Sequence, residues 1–261
     1  MIKLKVMFSG FVKYQDLLYE LVVRDIKIRY RRSFLGLLWT LLNPILMMAV
    51  ITLVFSHLFR FDIENFAIYF FTGNILFAFV AESTTNALYS ITGSGNLIKK
   101  VYIPKYLFPM SKVLSSVVNL FFSYIAMMLV MVFTGVSFHV TMILSIIVMA
   151  YIIMFALGLG LILATVMVFF RDTAHLYGVV TLAWMYLTPI FYPISMLQGK
   201  LDIVLKINPM VYFITYLRNV VLYNMVPSMG ENLTCFGIGV GFLIVGLFVF
   251  YRNQDKFILY I

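Results

Sequence analysis

The chain has 261 residues, of which 63% are hydrophobic and only 11% charged, and its mean hydropathy is +1.03. So few charges cannot cover the surface of a soluble domain of this length, so the solvent for most of the chain is lipid. The net charge of +9 is then no argument for nucleic acid, because membrane chains concentrate Lys and Arg on the cytoplasmic side.

Lys3 and Lys5 stand near the start, but no clean apolar run and no small-residue cleavage site follow them. No cleaved signal peptide is therefore read. From Tyr14 to Arg32 the pattern predicts an amphipathic helix at the membrane surface. Tyr14, Leu17, Leu18, Leu21 and Val22 share one face; Asp16, Glu20, Arg24, Lys27 and Arg31 fall on another. Two readings fit this segment, a lipid-surface anchor and a face that also packs on a partner.

A helical span needs about 20 mostly apolar residues. Six segments qualify: 35–58, 67–92, 107–133, 142–170, 175–194 and 233–251. Spans two and three are separated by "NLIKKVYIPKYLFPM" (96–110), with three lysines, two prolines and no acid. The outer segment from about 194 to 232 is too apolar for an aqueous loop and too interrupted for two full spans. Pro209, Pro227 and Gly230 mark its breaks. It reads as a pair of half-length re-entrant helices shielded by protein, or alternatively as a single interfacial helix.

The basic residues orient this ladder. Eight lie before span one, four around the gap between spans two and three, one between spans four and five, and two after span six. These make fifteen on one side. The other side carries four: Arg60, Lys200, Lys206 and Arg218. The imbalance places both termini and 96–110 in the cytoplasm. The fold expected is an all-α membrane protein forming one transmembrane domain over 1–261. Its parts are an interface helix (1–33), spans one to five (34–194), an extracytoplasmic segment (195–231), and span six with its tail (232–261).

Catalytic chemistry is hard to find. The sequence has no phosphate loop, because "GSGN" near Gly93 lacks the lysine spacing and the preceding strand. It has no H-E-x-x-H. Its three histidines, His57, His139 and His175, share no ligand spacing, and Cys235 is its one cysteine, so no metal site is expected. Glu82 is the exception, an ionisable residue inside span two on one face with Asn74, Ala78 and Asn86. It is either a functional group at depth or a hydrogen-bonded tie between spans. Gly158 with Gly160, and Gly237 with Gly241, suggest close helix contacts. Aromatic clusters ("YFFTGNILFAF", "WMYLTPIFYP", "PMVYFITY") recur toward the outer half of the membrane. They suit interfacial belts and equally suit faces on which sugar rings stack.

Five motifs in order carry a family resemblance: "RDIKIRYRRSFLGLLWTLLNPIL", "NLIKKVYIPKYLFPMSKVLSS", "FFRDTAHLYGV", "LTPIFYPIS" and "INPMVYFITYLRNVVL". Together they resemble the transmembrane subunit of polysaccharide-exporting ABC transporters, the permeases for O-antigen, teichoic acid and capsule chains. The resemblance implies a homodimer in the bacterial cytoplasmic (inner) membrane, bound to two copies of a separate ATPase that holds ATP and Mg. This chain would carry no cofactor and no catalytic residue, and its substrate would be a polysaccharide on a lipid such as undecaprenyl diphosphate. The coupling helix would lie within 95–106, using Asn96, Leu97, Lys99, Lys100, Tyr102, Ile103, Pro104 and Lys105. Arg24, Lys27, Arg29, Arg31 and Arg32 would attract the pyrophosphate, although topology alone also explains them. The lateral gate and channel would use Trp39, Asn43, Pro44 and Glu82, then Trp184, Tyr186, Pro189, Phe191 and Tyr192, with Tyr212, Phe213 and Tyr216 at the outer mouth. Rival readings are a smaller-lipid or drug permease of the same class, a proton-driven flippase, and a membrane transferase.

Overall fold

The structure, a computed structural model, describes residues 13–31, 36, 38–58, 63 and 65–261. Every regular element among the described residues is helical. Lipid offers the backbone no hydrogen bonds, so segments this apolar must satisfy their amides internally. The long elements are α1 (Gln15–Tyr30), α2 (Leu38–Leu58), α3 (Phe66–Leu88), α6 (Leu107–Thr134), α7 (Ser145–Phe169) and α11 (Met229–Asn253). Between them lie α4 (Ser90–Gly93), α5 (Gly95–Lys100), α8 (Thr173–Tyr186), α9 (Asp202–Ile207) and α10 (Pro209–Val221).

α3 is the hub of the bundle, packing against α2, α6, α7, α8 and α10. Its apolar side chains Ile68, Phe70, Phe71, Leu76 and Val80 are all buried. α7 and α11 approach most closely, and glycine is the reason. A Cβ on Gly158 would lie 2.3 Å from the Phe242 carbonyl, and one on Gly246 would lie 2.3 Å from the Gly158 carbonyl oxygen. Small residues let the backbones themselves touch. The expectation is met at Gly158 and at Gly160, which backs onto Ala87. Gly237 and Gly241 meet nothing within 4 Å; the packed glycines of α11 are Gly239 and Gly246 instead. Single-sequence spacing cannot tell which of two glycine faces turns inward.

Four of the described helical stretches are long and apolar enough to cross a membrane: Phe66–Leu88, Leu107–Thr134, Val140–Phe169 and Met229–Leu259. The segment of span one forms α2, with Leu38–Val54 as its shorter apolar stretch. The segment of span five departs from expectation. α8 stops at Tyr186 after 14 residues, about 21 Å at 1.5 Å per residue and short of the ~30 Å core. Pro189 supplies no amide and pushes the preceding residue out of helical geometry. The outer segment contains two unequal α-helices. α9 has six residues and is largely exposed; α10 has thirteen and is mostly buried.

Candidate functional site

At the basic end of the bundle, α1 lies across the start of α6. Leu18 and Leu21 bury against Leu107, with Tyr106, Met110 and Leu114 around them. The predicted apolar face is therefore the packed one. The charged face makes specific pairs. Arg24 Nη2 lies 3.2 Å from Asp25 Oδ1, and Lys112 Nζ lies 3.0 Å from Asp25 Oδ2. Arg29 pairs with Glu82. Lys27 and Arg31 line a shallow groove with Glu20. Arg32 lies outside the described residues. Burial, and secondarily the Tyr14 phenol, pushes the Tyr106 phenol above its ordinary value.

Beside α1 stands the expected docking element. α5 is a helix of six residues, GNLIKK, and Val101 turns extended to end it. Asn96, Lys99 and Lys100 are exposed, Leu97 is half-buried and Ile98 is buried. Tyr102 is 92% exposed, the extreme among the large apolar side chains described. Ile103 and Pro104 are half-buried. Lys105 points elsewhere: its Nζ donates to the Gln254 carbonyl at 2.6 Å and lies over the Phe257 ring. A groove of about 670 Å³ separates α1 from α5, lined by Arg24, Asp25, Arg29, Asn96 and Lys112 among others.

A second cavity, about 620 Å³, opens between α2, α3 and α6. Trp39, Asn43 and Pro44 form its α2 wall, and Asn74, Ala78 and Glu82 its α3 wall. The four-residue spacing seen in the sequence thus makes one polar stripe, with Asn86 continuing it into the groove beside α5. Glu82 is well satisfied. Asn119 Nδ2 donates to Oε1 at 2.9 Å and to Oε2 at 3.1 Å, Ser116 Oγ donates at 3.4 Å, and Arg29 closes the cluster. These contacts knit α1, α3 and α6. The sequence did not reveal Asn119 or Ser116 as its partners.

Apart from Trp39, the aromatic residues expected at the gate gather at the other end, away from this cavity. The Trp184 ring packs edge-on to Phe77 at 5.7 Å, and its Nε1 donates to Asn208 Oδ1 at 2.8 Å. Phe191 stacks on Phe70 at 5.6 Å. Tyr192 accepts the Tyr69 hydroxyl at its carbonyl, 3.1 Å away, and donates its own hydroxyl to the Tyr186 carbonyl. Pro189 is buried and Tyr186 exposed. Phe213 and Tyr216 are fully buried core residues, so within one chain they face no passage. Tyr212 is half-buried and donates to the Lys206 carbonyl at 2.9 Å.

Two organisers of this end escaped the sequence reading. Asn208 caps α10, accepting from the Met210 amide at 3.0 Å, and donates to Thr188 Oγ1 at 2.9 Å. Its signal was the Asn-Pro pair, a cap followed by proline in the first turn. Arg218, counted above as a loop charge, is 5% exposed. Its guanidinium lies 3.4 Å above the centre of the Tyr69 ring and donates to the carbonyls of Tyr69 (3.2 Å) and Ile190 (3.4 Å). It clamps α10 to α3 and to the broken end of α8 and marks no topology.

Residues 16–222 match the ABC-2 type transporter family. The chain is 31% identical over 249 residues to the O-antigen export system permease protein RfbA of Myxococcus xanthus, covering 94% of this chain and 95% of that protein. It is 28% identical over 244 residues to the RfbA permease of Klebsiella pneumoniae, covering 93% of each. It is 25% identical over 197 residues to the capsule polysaccharide export inner-membrane protein CtrC of Neisseria meningitidis serogroup B, covering 74% of each.

Proposed function

Because the chain belongs to the ABC-2 type transporter family, we propose that it is the permease of a polysaccharide exporter, moving a lipid-linked glycan under power from a separate ATPase subunit. The observation that carries this reading is the end-to-end likeness to O-antigen export permeases over 94% of the chain. The basic end then faces the cytoplasm by the distribution of Lys and Arg. There α5 and the exposed Tyr102 present a docking element to the ATPase.

A growing or finished glycan is too long to be enclosed, so the passage must run between two copies of the chain. α2 and α8 leave large apolar faces uncovered, including Leu46, Met47 and Val50 on one and Leu176, Val179 and Val180 on the other. Such surface suits a lateral gate between protomers and the surrounding lipid. Trp39, Asn43 and Pro44 would line the gate on one side, and Trp184, Tyr186, Phe191 and Tyr192 on the other. α9 and α10 would be the re-entrant pair closing the outer mouth, with Tyr212 nearest its surface. Lys27 and Arg31 are the bases best placed to attract a pyrophosphate, because Arg24 and Arg29 already face carboxylates.

Tyr102→Ala tests the docking assignment, since so exposed a side chain contributes little to folding. Export should fall at least tenfold in a transporter that still assembles and hydrolyses ATP. Export at the wild-type rate would remove α5 from the coupling role.

A further inference from the structure

We infer that the segment Gln254–Ile261 is a brace that fixes α5 in place, and so is part of the coupling machinery; this rests on the docking role proposed for α5. A helix of six residues does not hold its own shape in water, because nucleation costs more than so few hydrogen bonds return. An element that must transmit force therefore needs a rigid floor. The floor of α5 is a cluster in which Ile98 is buried with Phe108, Phe250 and Phe257, and Leu97 and Ile103 pack at its edge. Phe257 is fully buried, with its ring 5.2 Å from that of Phe250.

Two further contacts tie the brace to α5 and to the segment that follows it. Lys105 Nζ donates to the Gln254 carbonyl at 2.6 Å and sits 5.9 Å from the centre of the Phe257 ring. This lysine thus anchors the brace and does not face a partner. Ile261 covers the start of α5 so closely that a Cβ on Gly95 would lie 2.2 Å from Ile261 Cγ2. The close approach of the Ile261 side chain favours glycine there, since α5 begins without a positive φ at this position. The brace also reaches α7, with the Tyr260 ring 5.0 Å from Phe169. Motion of α5 is in this way handed to the ends of α7 and α11 together.

The test uses the whole transporter with its ATPase. A Cβ at position 95 would lie 3.7 Å from the Ile261 Cβ, inside the separation of about 3.5–4.5 Å that a disulfide spans. In a Cys235→Ala background, Gly95→Cys with Ile261→Cys should cross-link on mild oxidation. The locked transporter should then export within about twofold of its reduced form, because brace and helix move as one body. Phe257→Ala should lower export at least tenfold while ATP hydrolysis continues, and Phe257→Leu should restore most of it. Failure of the pair to close, loss of export on locking, or normal export by Phe257→Ala would each overturn the brace. Should Phe257→Ala fail to assemble, locking and Phe257→Leu carry the test. The cross-link forms without reference to the ATPase, so a failed Tyr102→Ala prediction beside a closed disulfide would reject the docking role and leave the contact standing.

Discussion

Glu82 shows how much one residue can reveal. Its presence in an apolar span made it conspicuous in sequence, but its partners Arg29, Ser116 and Asn119 come from two other helices. No spacing rule joins residues that far apart. The carboxylate accepts from both Asn119 and Ser116 and pairs with Arg29, so its hydrogen-bonding capacity is well used. A saturated carboxylate is a tie between helices and a poor proton carrier. Glu82→Gln keeps an acceptor for Asn119 and should export within about twofold of wild type. Glu82→Leu leaves an amide and a guanidinium without that acceptor and should lower the unfolding temperature. Thermal unfolding in detergent and an export assay together decide this. A folded Glu82→Gln protein unable to export would show that the charge itself is used.

Elements were legible where apolar length or amphipathicity was strong, as in α1, α3, α6, α7 and α11. They were less legible where tertiary contacts override length. α8 ends early because Pro189 interrupts it, and the chain beyond it is held by Asn208 and Arg218 from α10. Both organisers were present as letters, but nothing in one sequence says that a cation in an apolar helix will lie on a tyrosine ring. The proposed re-entrant arrangement makes a prediction at this scale. A cysteine at Ile203, 74% exposed, should react with a membrane-impermeant maleimide added from outside the cell. One at Ile214, fully buried in α10, should react only after denaturation. Labelling of both, or of Ile203 only from the cytoplasmic side, would contradict this arrangement.

At the scale of the molecule, charge placement and five ordered motifs were enough to read a membrane permease and its family. Which faces of α2 and α8 remain uncovered could not be read, because span composition is apolar all round. In the proposed permease, those faces, the basic end with α5 and its brace, and the aromatic end with its clamp would form half of a gated passage. As the proposed permease, this chain would translocate a lipid-linked glycan only when a separate ATPase drives it. The most direct measurement places the chain in liposomes with that ATPase and follows a labelled lipid-linked polysaccharide across the bilayer. Translocation should require ATP and both subunits, and should stop when the ATPase carries a lysine substitution in its phosphate loop. Translocation by this chain alone, or driven by a proton gradient without ATP, would contradict the account.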